Sequence, residues 1–153
     1  MRQLQRQGDV LLIPIDSIPA NATAVARDAR GRIVLAEGER TGHAHCVLDD
    51  AATLFRQDDL DEMADRFLHV QAECGLIDAW RCRDRRRDIV CWMPAYQNTD
   101  RIEAADYAIL AREDIPGVIV EHEEHLHFVV LPGDHIIRPK REYQPEAPRQ
   151  VMD

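Results

Sequence analysis

The chain lacks most of the short motifs that mark the common enzyme families. Ser17 is its only serine, and no Gly-x-Ser-x-Gly surrounds it, which argues against a serine hydrolase. The four cysteines form no Cys-x-x-Cys pair, so their spacing does not indicate a zinc ribbon. There is no glycine-rich phosphate loop. No stretch approaches the run of about 18 apolar residues that a transmembrane helix needs, so we expect no membrane partner.

Positive charge is also scarce. Lys140 is the single lysine, and 19 basic residues face 28 acidic ones, for a net charge of −9. This balance argues against broad electrostatic attraction to nucleic acid. The one basic run, residues 81–87, is interrupted by Asp84 and followed by Asp88. That mixture favours a solvated hairpin tip over a phosphate-binding site.

A length of 153 residues is enough for one core. We therefore expect a single domain over residues 1–138 and an extended C-terminal arm over 139–153, where prolines and charges concentrate. The polar N-terminus contains no apolar signal segment, which predicts a cytoplasmic protein with reduced thiols. Most of its cysteines should then be buried and free.

Short apolar runs at both ends of the chain predict strands, notably 9–15, 118–120 and 128–131. Because proline cannot donate to a ladder, Pro14 should lie on an edge strand or at its end. Residues 28–31 predict the turn of a hairpin between 23–27 and 32–37.

The middle of the chain, residues 50–112, has mixed patterns and is interpreted as a variable insertion. Residues 57–67 have helical spacing, although strand or loop remains open. A second helix is expected to begin near Thr99, with Asp100 and Glu103 in capping-box spacing. The fold class predicted from these patterns is mostly β, a single-domain barrel or sandwich with one or two short inserted helices.

Five of the seven histidines lie in two short clusters, and a sixth, His135, follows the second; these clusters carry the main hypothesis about function. His43 and His45 should project to one face of a strand. The second cluster occupies residues 121–127, where an extended backbone would put His125 and His127 on one face. If that segment begins as a turn, His122 could join this set, which also contains Glu121 and Glu123. Two such segments side by side predict a site for zinc, iron, manganese or nickel.

The sequence leaves open whether such a metal would be catalytic or structural. Three ligands with an open position imply catalysis, whereas four ligands imply a structural site. In a catalytic site Glu124 or Glu123 would be the candidate general base, by proximity alone, and the substrate would be a small molecule. The histidines do not form His-Glu-x-x-His, so a metalloprotease is not supported. The candidate ligands are His43, His45, His122, His125 and His127.

The alternative is a non-catalytic accessory or assembly protein, for which a phage-related role is one form. Its histidines would form a polar network or a structural metal clip, and the charged arm would contact a protein partner. His135 is expected at the surface, although a role as a ligand or beside one is open. His69 is isolated and should be a satisfied core or surface residue, while Cys46 should point away from His45 into the core.

Several blocks resemble a pattern in small, uncharacterised bacterial and phage-associated proteins, for which the resemblance implies no activity. They are QGDVLL at 7–12, LAEGE-x-TGHAH at 35–45, H-x-EH at 122–125, LPG at 131–133 and REY-x-P at 141–145.

The His-x-His of His43 and His45 also resembles the metal motif of cupins, which are small β-barrels. The resemblance places Asp49 or Asp50 near that family's glutamate. Its later histidine would be His125, His127 or His135. It is also compatible with a homodimer paired through edge strands. The chain departs from cupins in the spacing of Gly38 from His43 and in its Pro-Gly-Asp-His, where cupins have Pro-x-Gly-x-x-His.

Overall fold

The computed structural model describes residues 4–7, 10–37, 43–57, 65–139, 141–142 and 149–150. The predicted loop at 38–42, most of the segment with helical spacing and the arm residues 143–148 lie outside these ranges. The elements are β1 (Gln5–Gln7), β2 (Val10–Ile15), β3 (Ala22–Val25), β4 (Ile33–Glu37), β5 (Ala44–Val47), β6 (Ala52–Gln57), β7 (Arg66–Val70), β8 (Leu76–Asp84), β9 (Ile89–Pro94), α1 (Thr99–Ala104), β10 (Tyr107–Pro116), β11 (Val118–Val120), β12 (Phe128–Val130), β13 (Gly133–Pro139), β14 (Arg141–Glu142) and β15 (Arg149–Gln150).

These elements confirm the prediction of a mostly β chain. The largest sheet has the order β1-β2-β13-β7-β6-β3, and the next has the order β10-β8-β9. The pairs β4-β5, β11-β12 and β14-β15 complete the pattern, and the ladders are antiparallel. Among the described strands these sheets stay open, so they do not close into a barrel.

The main core is sandwiched between the six-stranded sheet and the short pairs β4-β5 and β11-β12. Leu12, Leu68 and Ile137 represent the sheet, and Val47 and Val120 the opposite layer; all five are at most 3% exposed. In the first half of β2, buried residues alternate with less buried ones, which follows the two-residue period of a strand. This apolar contact holds β5 and β11, the strands beside both histidine clusters, against one rigid layer.

A second apolar layer lies on the other side of β12. Val130 joins the main core, whereas its neighbours Phe128 and Val129 pack with residues of β8, β9, β10 and α1. Cys82 and Met93 from the β8-β9 hairpin and Ile102 from α1 are fully buried there. Strand β12 therefore contributes to both cores, which fixes the segment that leads into it from the second histidine cluster.

The structure qualifies two local predictions, which concern Pro14 and the hairpin around residues 28–31. β2 is an inner strand, but its register with β1 ends at Leu12, so at Pro14 it pairs only with β13. Pro14 therefore lies where β2 has an open side, as the missing N–H requires. The turn at 28–31 forms, with Gly31 N–H donating to Asp28 O. Its flanking strands do not pair with each other, because β3 joins β6 and β4 joins β5.

The helix expected near Thr99 is confirmed as α1. Its cap is Asn98, whose side chain accepts from the N–H groups of Asp100 and Arg101, so Asp100 lies in the first turn and is not the cap. The helical interpretation of 57–67 is wrong at its described ends, since Gln57 ends β6 and Arg66 begins β7. None of the helices in the described residues is long and apolar enough to span a membrane.

The arginine-rich run forms the tip of the β8-β9 hairpin, as predicted. Residues 85–88 form the turn, and Arg87 pairs with the buried Asp84 at 2.6 Å. Arg86 and Arg83 pair with Asp106 and Asp88. These acidic partners neutralise much of the run, which removes the reason to assign it an anionic ligand.

Candidate histidine site

The two histidine clusters meet because β5 is bridged to the end of β11. Cys46 and Glu121 exchange two backbone hydrogen bonds, of 3.0 and 2.9 Å. His45 is carried by β5, and His43 directly precedes that strand. Beyond Glu121 the chain is not extended but bends at residues 123–125. The bend brings His122 to His125, as the alternative of a turn expects, but it leaves the ring of His127 apart from them.

Four of the five predicted ligand histidines are brought together. The ring of His122 is their centre: its centroid lies 4.2 Å from that of His45, 4.6 Å from that of His125 and 6.2 Å from that of His43. The rings of His45 and His125 are stacked, with centroids 5.8 Å apart. His45 and His122 are only 1% and 3% exposed.

Gln7 fixes the orientation of His45, and it was not among the residues predicted for the site. The Gln7 side-chain amide donates to Val120 O at 3.0 Å and to Leu126 O at 2.8 Å. Both amide hydrogens are thereby used, so its oxygen faces His45 Nδ1 at 2.8 Å and must accept a hydrogen bond from it. His45 is therefore the Nδ1–H tautomer, and Nε2 carries the lone pair that a metal would need.

His122 is held the other way round. Its Nδ1 accepts a 3.0 Å hydrogen bond from the backbone N–H of Glu124, so a neutral ring carries its proton on Nε2. The same bend lets the carboxylate of Glu124 lie 3.4 Å from His43 Nδ1. His122 would have to release the Glu124 N–H before either ring nitrogen became a normal neutral ligand.

The two candidate bases differ in what they contact. Glu123 accepts a hydrogen bond of 3.1 Å from Ala44 N–H and so ties the bend to the start of β5. Partial burial by itself would raise the pKa of Glu123. The N–H groups of Glu123 and Ala44, together with nearby His122 and His43, outweigh this effect and lower the pKa. Glu123 is therefore held as a carboxylate.

His127, the fifth predicted ligand, is used elsewhere. Its Nε2 faces His122 O at 3.2 Å and must donate, so its Nδ1 accepts from the Tyr96 hydroxyl at 2.5 Å. Gln97 bonds both the N–H and the C=O of His127. These contacts fasten the end of the bend to the loop before α1. The structure thus places His127 beside Tyr96, outside the stack of the other rings.

The spacing of the rings in the cluster fits a metal site, but their present orientations do not. Four imidazoles around one tetrahedral ion, with bonds of about 2.0–2.1 Å, would place their centroids roughly 5 Å apart. The rings of His45, His122 and His125 are instead inclined to one another by only 12° to 39°. Across the part of the chain that the structure describes, no group of three or more His, Cys, Asp or Glu side chains is arranged to hold an ion. Binding would require these rings to rotate.

The remaining candidates lie apart from the cluster. Asp49, which stands near the glutamate position of cupins, accepts from Ala51 N–H in the turn before β6. His69 is bonded to Asp134 at 2.6 Å across β7 and β13. The expectation that His135 lies at the surface is wrong: it is 5% exposed, and its Nε2 donates to Leu131 O at 2.9 Å. A partner sixty-five residues away left no local signal for His69 in the sequence.

The cysteines are free, and burial makes them poor nucleophiles. Cys46, Cys82 and Cys91 are buried, while Cys74 is partly exposed. Burial raises the pKa of the Cys82 thiol to about 12 and also raises that of Cys91. We expect one thiol, Cys74, to react with a chromogenic disulfide in the native protein at pH about 8, and the others only after unfolding. Rapid reaction of two or more native thiols would contradict this.

Comparison with known proteins gives a similarity to one family model and no activity. Neither curated proteins nor solved structures give a significant match. The matched segment includes Gln7 and the first histidine cluster, but not the second cluster. Residues 6–80 match the sequence model of a domain of unknown function (DUF8820), so this part of the chain is similar to an uncharacterised family.

Proposed function

We propose that the protein binds a divalent transition metal, such as zinc, iron, manganese or nickel, at the histidine cluster. The observation that carries the proposal is the Gln7–His45 hydrogen bond, which presets the tautomer of a buried imidazole among three others. Histidines that bind metals usually donate the other ring N–H to a fixed oxygen, which orients the ring and raises its basicity. The buried side-chain amide of Gln7 supplies such an oxygen, because both of its N–H groups are held by backbone carbonyls.

The proposed ligands are His43, His45 and His125, with His122 as the fourth. His122 is preferred to His127 because its ring already contacts the other three, whereas both nitrogens of His127 are hydrogen-bonded elsewhere. The required change is side-chain rotation on a backbone fixed by the β5–β11 bridge. His122 would give up its bond from the Glu124 N–H in exchange.

If His122 keeps that bond, three ligands remain, and the metal would supply Lewis acidity toward a small-molecule substrate. Glu124 would then be the better candidate base. It lies beside His43, whereas Glu123 is occupied by Ala44 N–H and has a lowered pKa, which weakens it as a base. The free thiols fit a reducing compartment, so the proposal places the protein in the cytoplasm.

A second candidate function is a non-catalytic accessory protein whose histidines form a polar network. One observation favours it: the rings are already stacked and hydrogen-bonded in an arrangement that does not converge on a point. Such a protein would present a partner with surfaces outside the cluster, for example a second copy pairing along β3, which ends the six-stranded sheet.

Elemental analysis by mass spectrometry tests the proposal. Purified, untagged wild type should carry close to one equivalent of metal after incubation with zinc, iron(II), manganese or nickel and removal of the excess. The His43→Ala/His45→Ala double variant should carry at least about tenfold less, because two imidazoles are gone. His69→Ala removes a histidine outside the cluster and should bind as the wild type does.

Absence of metal from folded wild-type protein would overturn the proposal and leave the polar network. Equal loss in His69→Ala would show that the bound metal does not report on the cluster. Thermal unfolding of the double variant then separates the two kinds of site. A four-ligand structural site should make unfolding of the metal-loaded wild type much harder than that of the variant, whereas an open site should leave folding nearly unchanged.

A further inference from the structure

A second concave site lies away from the histidine cluster, at the ends of β2, β7 and β12. It is a cavity of about 150 Å³, and none of the four clustered histidines lines it. Much of its wall is apolar, formed by Leu12, Pro14, Ile15, Val130, Leu131 and Pro132. Nothing in the proposed metal function uses this space. It is as large as engineered apolar cavities of about 150 Å³ that hold benzene.

Gln5 lines this cavity and carries a buried acceptor. It is 4% exposed, and its side-chain nitrogen donates to Val129 O, so the amide orientation is set. Its oxygen, Oε1, is buried and has no hydrogen-bond partner among the residues that the structure describes. A buried polar atom left unsatisfied costs stability, because it has lost its hydrogen bond to water. A donor in the cavity would remove that cost.

The other polar side chains of the wall also accept hydrogen bonds. His69 donates its Nδ1–H to Asp134, and His135 donates its Nε2–H to Leu131 O. In each neutral ring the other nitrogen is therefore a hydrogen-bond acceptor. Asp134 and Asp16 add carboxylates. The second oxygen of Asp134 still has lone pairs after the bond from His69. None of the described lining residues is lysine or arginine.

We propose that this cavity binds a small organic cation, a primary ammonium on a compact apolar body. The ammonium would donate to Gln5 Oε1 and to the Asp134 carboxylate, and the apolar body would fill the space between Leu12 and Val130. A wall of acceptors without a fixed positive charge selects against carboxylates and phosphates. The net charge of −9 acts in the same direction, because it attracts cations to the whole molecule.

The test uses benzylammonium as the probe, with benzyl alcohol and benzoate as matched neutral and anionic ligands of the same shape. Binding to the full chain is followed by NMR through the ring signals of His69 and the amide of Gly133. A ligand of this size is expected to bind with a dissociation constant on the order of 1 mM. Benzyl alcohol should bind at least about tenfold more weakly, and benzoate should not bind.

Asp134→Asn keeps the shape of the side chain and an oxygen for His69 but removes the charge. It should weaken benzylammonium binding at least about tenfold. Asp106→Asn is the matched control, since it removes one negative charge from a partly exposed side chain beside β10, away from the cavity. It should leave binding unchanged.

Three results would overturn the assignment: no saturable binding of benzylammonium, benzyl alcohol binding as tightly, or equal weakening by Asp134→Asn and Asp106→Asn. The first would leave a cavity filled by water, the second an apolar pocket without charge selection, and the third general attraction to an acidic protein. Gln5→Met gives an independent check, because it keeps the volume and removes the buried acceptor. Unchanged affinity in that variant would also count against the site.

Discussion

Replacing Gln7 with leucine is expected to lower the free energy of unfolding by about 3–5 kcal/mol. The side chain is 3% exposed and joins Val120 O, Leu126 O and His45 Nδ1. Leucine fills similar space but leaves two buried carbonyls and one buried imidazole N–H to lose a partner each. At about 1–3 kcal/mol for each unsatisfied group, with some relaxation, the sum reaches this range.

The same substitution should weaken metal binding about 10–100-fold if the proposed function holds, because the tautomer of His45 is no longer preset. Chemical denaturation measures the first effect, and competition with a chelating dye measures the second. Gln57→Leu is the control for the change of residue type. Gln57 makes one long contact of 3.5 Å with Asn21 at the surface, so its loss should cost no more than about 0.5 kcal/mol. Equal destabilisation by the two substitutions would contradict the assignment.

The sequence predicts the fold class because the buried strands are rich in apolar and β-branched residues, which can be seen locally. β-Branched residues fill 118–120, and β2 is an unbroken apolar run, so both strands could be recognised without their partners. Pairing is less accessible. The turn at 28–31 was correctly placed, but the flanking strands enter different ladders, β3 with β6 and β4 with β5, and the residues beside the turn do not indicate those partners.

The histidines of the site were predictable because His-x-His on a strand has one geometric consequence. The second cluster was ambiguous, since its role depends on the bend at 123–125, which is set by contacts with distant residues. Glu123 reaches Ala44, and Gln97 bonds the backbone of His127. No residue within the segment indicates either contact.

Gln5 and Gln7 show a further limit of sequence reasoning. Two polar residues at alternate positions of an N-terminal segment normally indicate a solvated strand face. Here both face inward, because β1 lies over β12 and its amides bond backbone groups 113 to 124 residues away. The sequence shows only that glutamines occupy two alternate positions of β1. That pattern indicates buried hydrogen-bonding groups only when the position of β1 over β12 is known.

The other large effect is expected at Gly117, which lies between β10 and β11. A Cβ at this position would fall 2.5 Å from Val129 Cγ1 and 2.7 Å from Val130 O. The valines are at most 1% exposed, and the second contact is to backbone, so the clash cannot be relieved by turning a surface side chain. Gly117→Ala should therefore lower the free energy of unfolding by about 3 kcal/mol, as measured by urea denaturation.

Gly75→Ala is the matched control, because the Gly117 N–H donates to Gly75 O and the two glycines share one local structure. A Cβ at Gly75 would meet no atom within 4 Å, so this variant should keep wild-type stability or gain up to about 1 kcal/mol through a less flexible unfolded chain. Similar values for the two variants would show that β12 yields easily. That result would also weaken the metal proposal, because β11 leads directly into the Glu121 bridge and His122, and the rings can rotate onto an ion only if this backbone stays fixed.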